Sequence, residues 1–231
     1  MKQWKQRLSA FFSRPWGIPA ACYLLALAVW VLVGLGSLAG DSLARAQGRL
    51  TQQVVELDRF ILSELELSGD GADLKSEDGS VSGLLMTTGG DPQMILEDVS
   101  GQVVRTLSYQ AEFDGSPREM CLYYTTAVGE PYSQDRRVFP EVTADGTYVY
   151  TLPRKNIVSL RLDPCSPDEN KQVGITFLPA TIELNAPSTL PGGLEELIPS
   201  WYELFCLILS PGLAAAALDW AIAVGKKLRK K

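Results

Sequence analysis

The chain has 231 residues, a formal net charge of −6, four cysteines and no histidine. The absence of histidine excludes Ser-His-Asp and Cys-His catalysis and His-ligated zinc. Charge is segregated: nine of the 21 basic residues flank two apolar stretches at the ends, leaving 12 against 25 of the 27 acidic residues between them, a balance that excludes nucleic-acid binding because phosphate contacts rest on Lys and Arg.

Residues 1–15 form a basic tail containing Lys2, Lys5, Arg7 and Arg14. Residues 16–40 are apolar and uncharged, and about 20 such residues cross a hydrocarbon core. Flanking Lys and Arg stay on the cytoplasmic side, so the expectation is a first transmembrane helix with its N-terminus inside. Small residues at Ser37-Leu38-Ala39 and Ala44-Arg45-Ala46 resemble a signal-peptidase site. The apolar run far exceeds the usual signal-peptide length of about 7–15 residues, so an uncleaved anchor is expected.

Over residues 41–59, Leu43, Ala46, Leu50, Val54 and Leu57 recur at three- and four-residue steps. That spacing predicts one helical face, a stalk continuing from the membrane helix, weakened by Gly48. From 60 to 185 the sequence changes to short runs rich in Val, Ile, Leu, Thr and Tyr, broken by Gly, Pro, Asp and Asn. Strands are predicted over 60–67, 81–87, 93–97, 102–113, 119–126, 137–142, 148–152, 158–163 and 172–184. Val158-Ser159-Leu160-Arg161-Leu162-Asp163 alternates apolar and polar, as a half-buried strand does. Many short strands at such spacing predict a mainly β fold, a β-sandwich or barrel.

Residues 186–200 read as a connector, and 201–224 as a second transmembrane helix. That helix carries Glu203 near one end, Ser210-Pro211-Gly212 in the middle and Asp219 near the other. Proline removes one helical hydrogen bond, so a kinked span is expected rather than a re-entrant loop. Asp219 reads as a local partner for Lys226 or as the mark of a membrane partner. The basic tail 225–231 places the C-terminus inside as well. The localisation expected is thus a two-pass cell-membrane protein with both termini cytoplasmic and the central domain outside.

Cys121 and Cys165 lie in the outer segment, where a disulfide is chemically allowed, although spacing alone does not establish it. The acidic clusters Asp70, Asp73, Glu77, Asp78 and Asp163, Asp168, Glu169 lack calcium-loop spacing. With neither a phosphate loop, a CxxC pair nor a nucleophile elbow in the sequence, no cofactor, metal or catalytic residue is expected. A carboxylate pair that hydrolyses glycosides has no distinguishing spacing among so many acids.

Thr88-Gly89-Gly90-Asp91-Pro92-Gln93, Cys121-Leu122-Tyr123-Tyr124-Thr125-Thr126, Asp145-Gly146-Thr147-Tyr148 and Ser159-Leu160-Arg161-Leu162-Asp163-Pro164 stand in this order, closing on Ile182-Glu183-Leu184-Asn185. The stretch carrying them resembles an extracytoplasmic, jelly-roll-like β-sandwich module of bacterial membrane proteins of cell-surface glycan assembly. Such modules are attached to many-spanning enzyme bodies, which this chain lacks. The resemblance implies a non-enzymatic envelope accessory protein whose sandwich binds glycan or a glycan-assembly partner. The alternative is a structural subunit of a membrane complex without sugar binding. With strand alternation, it gives Asp91, Tyr124, Tyr148 and Arg161 as glycan-binding candidates. The acidic field favours neutral or amino sugars over polyanions.

Overall fold

A computed structural model describes residues 10–11, 14–67, 83–168, 171–190 and 197–228. The acidic cluster at 70–78 and the outermost basic residues lie outside that set. The chain divides into two compact units, residues 43–190 and the terminal segments 1–42 with 191–231.

The terminal unit is helical. Helix α1 spans Gly17–Ala46 and α2 spans Trp201–Leu228. At 1.5 Å per residue these measure about 45 and 42 Å, and both are long and apolar enough to cross a membrane. A capping box starts α2: the Ser200 amide donates to Glu203 Oε2 at 2.8 Å, and the Glu203 amide donates back to Ser200 Oγ at 3.3 Å. Glu203 is therefore explained locally. The helix continues without a break through Pro211. The Tyr23 hydroxyl of α1 donates to the Ile208 carbonyl at 2.8 Å, beside the proline.

Helix α1 stops where glycine permits it. Gly48 has φ +68°, the Arg49 amide reaches the Ala44 carbonyl at 2.9 Å and the Gly48 amide reaches Arg45 at 2.9 Å. This pair of bonds is the Schellman ending. The helical stalk expected over 41–59 is thereby corrected: the helix ends at Ala46, and residues 53–56 are a strand.

The β unit contains fourteen strands among the described residues. In chain order they are β1 (Gln53–Glu56), β2 (Ile61–Ser63), β3 (Leu65–Leu67), β4 (Gly83–Thr87), β5 (Gln93–Leu96), β6 (Thr106–Tyr109) and β7 (Ala111–Phe113). There follow β8 (Cys121–Thr125), β9 (Arg137–Val138), β10 (Glu141–Val142), β11 (Tyr148–Thr151), β12 (Ser159–Asp163), β13 (Gly174–Phe177) and β14 (Thr181–Leu184). One antiparallel sheet has the order β1-β14-β6-β11-β10, a second β2-β5-β12-β8-β9 and a third β3-β4-β13-β7. The first two are called sheets A and B below. The chain passes directly between them at β1–β2, β5–β6, β9–β10 and β11–β12, and it enters or leaves the third at tight corners: β2 leads into β3 at Glu64, whose φ is +53°, β6 into β7 at Gln110, and β13 into β14 across residues 178–180.

Alternation sends one residue set from each sheet into a common core. Met94, Leu96, Leu122, Tyr124, Leu160 and Leu162 come from sheet B; Leu107, Tyr109, Tyr150, Ile182 and Leu184 come from sheet A; Leu65, Leu85, Ile175 and Phe177 complete it. The fold is the expected mainly β sandwich-like one. Asn185 closes it. Buried and at φ +56°, its amide oxygen accepts from the Arg105 and Thr106 amides at 2.7 and 3.4 Å. Its amide nitrogen donates to the Thr51 and Val103 carbonyls at 3.2 and 2.8 Å. The strands by which the chain enters and leaves the β unit are thus pinned side by side.

Candidate functional site

The outward face of sheet B is where charged and aromatic side chains converge. On β12 the apolar Leu160 and Leu162 fill the core, so Ser159, Arg161 and Asp163 point away from it. Register then sets their neighbours: Arg161 pairs with Tyr123 and Asp163 with Cys121 on β8. Arg161 is gripped in a fork by Asp163, with Nε and Nη2 each 2.7 Å from a carboxylate oxygen. Its Nη2 also reaches Asp91 Oδ1 at 3.0 Å. The guanidinium carbon stands 5.1 Å from the centre of the Tyr123 ring, within cation–π range. Burial pushes the Asp163 carboxyl upward against the pull of Arg161, and burial likewise raises the Tyr123 hydroxyl.

Asp91 arrives there through the Thr88-Gly89-Gly90-Asp91 turn. The Glu64 carboxylate packs directly over Gly89, in space that a Cβ would fill, and accepts the Asp91 amide at 2.7 Å. A Cβ at 89 would push the Glu64 carboxylate off this position. The Asp91 side chain is 62% exposed and also accepts from Gln93 Nε2 at 2.5 Å.

A second loop flanks the face from the other side. Glu130 accepts the Thr126 and Ala127 amides at 2.7 and 3.2 Å and pairs with Arg136 at 2.9 Å. The Thr126 amide, first among these, holds the Glu130 carboxyl below the usual range. The loop so fixed presents Tyr132, whose hydroxyl donates to Ser159 Oγ at 3.0 Å, and Gln134, whose amide donates to the Tyr123 hydroxyl at 3.1 Å. The result is a preorganised face of Arg161 between two carboxylates, with Arg137 opposite Tyr123 and paired to Glu119 at 2.7 Å, two tyrosines and several amide and hydroxyl groups. It offers hydrogen bonds in both directions beside an aromatic ring, the pattern that suits a polar, ring-shaped ligand.

Of the candidates read from the sequence, Asp91 and Arg161 are brought together. Tyr124 and Tyr148 are not. Tyr124 is 5% exposed in the core, a correction with a simple cause: it shares parity with Leu122, which takes the apolar side. Tyr148 lies on β11 of sheet A, half-buried, stacked on Tyr109 at 5.4 Å and edge-on to Phe113 at 6.0 Å. On the outward face stand Tyr132, half-buried, and Tyr123, which is only 7% exposed with its hydroxyl bonded to Gln134. Leu122 was the signal for Tyr123; for Tyr132, in a loop, no sequence period exists. The Cys121–Cys165 bridge is also corrected, since both are free thiols. Cys165 packs in the core, while Cys121 faces Asp163 with Sγ 4.0 Å from Oδ2. Burial pushes both thiols up to about 11. Among the described residues no cluster of His, Cys, Asp or Glu has the makings of a metal site.

No protein family and no curated protein matches the chain. Among solved structures, it is similar to a low-affinity xylan-binding module, CBM86, from Roseburia intestinalis, with a TM-score of 0.35 and 12% identity over 58% of this chain and 94% of that one. It is also similar to a β-1,3-glucan-binding CBM6 from Bacillus halodurans, with a TM-score of 0.37 and 8% identity over 58% and 96%. A third, the Agl-KA catalytic domain, gives 0.36 and 10% over 61% of this chain but 28% of that one. Likeness this distant assigns neither ligand nor activity to the chain.

Proposed function

We propose that this is a non-enzymatic, membrane-anchored accessory protein of the bacterial cell envelope. In this reading α1 and α2 span the cell membrane, both termini are cytoplasmic, and the β unit stands outside and binds glycan or a glycan-assembly partner. The length and apolarity of the two helices and their basic outer flanks support the topology. One observation carries the glycan reading: Asp91, Arg161, Tyr123 and Tyr132 converge on one preorganised outward face. The Tyr132 ring serves as the stacking surface, Asp91 accepts sugar hydroxyls, and Arg161 holds the two carboxylates in register. Calorimetry of the full chain in lipid nanodiscs against cell-wall oligosaccharides tests this. Tyr132→Ala and Asp91→Ala should each weaken binding by about three- to tenfold, the worth of one aromatic or polar contact. Absence of heat with every oligosaccharide would sink the reading.

A second reading, a structural subunit of a membrane complex without sugar binding, is favoured by Asp219. It stands exposed on α2 within the apolar span, where a carboxylate marks contact with another membrane helix. Retention of a membrane partner by the full chain, lost in Asp219→Leu and indifferent to Tyr132→Ala, would support it.

A further inference from the structure

Sheet A carries a second polar site, on its own outward face. Register places Ser108 of β6 directly opposite Glu183 of β14, and Thr181 lies two residues before Glu183 on the same face. The chain then leaves β14 and folds back as a strap, residues 186–190. Thr189 fastens that strap, its hydroxyl sharing a 2.8 Å bond with Thr106 and donating to the Ala186 carbonyl at 3.0 Å. Between strap and sheet lies a cavity of about 200 Å³, lined by Ser108, Thr181, Glu183 and Ser188, with Gln110 and Pro179 at its sides.

Three features point to a ligand. Ser108 is 3% exposed, and its hydroxyl, which makes no hydrogen bond among the described residues, is left free for a guest in the cavity it lines. The Thr181 and Ser188 hydroxyls are likewise unpaired among the described residues, so several donors and acceptors converge on one space. Finally, the lining holds a carboxylate and no Lys or Arg, which disfavours anions. The volume is smaller than the roughly 300–1,000 Å³ of sites for drug-sized molecules, and it suits one ring. Pro179 offers an apolar flank for the C–H face of such a ring.

We infer that this cavity binds a single uncharged sugar residue, with Ser108 and Thr181 bonded to its hydroxyls and Glu183 accepting from them. It rests on the proposed glycan reading for its ligand class only, since no residue is shared with the outward face of sheet B. The test is an NMR titration of the full chain in nanodiscs, selectively ¹⁵N-labelled at Ser and Thr, with glucose, galactose, N-acetylglucosamine and glucuronate. At least one uncharged sugar should move the Ser108 and Thr181 amide signals saturably, while glucuronate should not. Ser188→Trp, on an exposed stretch of the strap, fills the mouth and, with the sheet signal in circular dichroism retained, should weaken that titration at least about tenfold. Glu183→Gln, which keeps shape and removes charge, should weaken the uncharged sugar and admit glucuronate. Silence of Ser108 with all four sugars, or a titration unchanged by Ser188→Trp, would overturn the site; glucuronate bound as well as glucose by the unaltered chain would overturn its class. Oligosaccharide heat retained in Ser188→Trp but lost in Tyr132→Ala leaves the sheet B reading standing whatever the cavity does. The cavity shifts persisting where no oligosaccharide gives heat would remove the sheet B reading alone.

Discussion

Asn185 makes its side chain the meeting point of four backbone groups from two segments, at Thr51 and at Val103, Arg105 and Thr106. A buried polar group left unpaired costs about 1–3 kcal/mol, so Asn185→Ala should destabilise the β unit by about 3 kcal/mol in chemical denaturation. Asn185→Gly relieves the left-handed backbone but loses the same bonds, and it should recover only a fraction of that cost. A loss below about 0.5 kcal/mol for both would show that water replaces the side chain. Tyr109 and Tyr150 give a second residue-level expectation. Their hydroxyls share a 3.2 Å bond in the core, and burial, above all, raises both phenols far above the ordinary value. A phenol raised on folding contributes stability that is complete below its unfolded pKa, about 10, and is lost as pH rises beyond it. Alkaline unfolding should therefore set in above about pH 10, with the phenolate absorbance of these two rings appearing only as the sheet signal in circular dichroism disappears. Ionisation with the sheet intact would refute this.

At the scale of elements, β12 is the most informative strand. Leu162 is fully buried, and Leu162→Ala should cost about 2–5 kcal/mol; a loss under about 0.5 would mean the register is wrong. This strand was legible because apolar and polar residues alternate along it without a fault. The same alternation does not announce where a strand changes sheet. The runs 60–67, 102–113 and 172–184 read as single strands, yet each breaks into two, at Glu64, Gln110 and residues 178–180. Such corners depend on which sheet the next segment finds, information that local pattern does not hold. Gly48 is legible as a stop signal, since glycine after a helical run ends it, and here it overrides the apolar spacing that continues beyond it. In the candidate site, Asp91 and Arg161 could be named individually because a turn and a strand position are local. Their pairing across 70 residues of sequence belongs to the strand order. Tyr123 was separable from Tyr124 only by extending the parity of Leu122.

For the whole molecule the proposed topology makes a direct prediction. In a variant lacking the native thiols, single cysteines at Arg14 and Lys227 should label only from the cytoplasmic side, and one at Ser116 only from outside. Arg14 and Lys227 reporting from opposite sides would overturn the hairpin arrangement. The proposed anchoring at both ends also gives the β1–β14 pairing a mechanical meaning. The two strands run antiparallel, Gln53 opposite Leu184 through Glu56 opposite Thr181, so load applied through the two chain ends meets the Gln53–Leu184 rung first. Strands pulled from the same end separate rung by rung, as a zipper does, rather than resisting together in shear. Asn185, bonded to Thr51 immediately outside that first rung, is the clasp on the zipper. Under the proposed anchoring, tension between the two ends would load the Thr189–Thr106 fastening, the Val103–Arg49 bond and this amide before it reached the rungs of the strand pair.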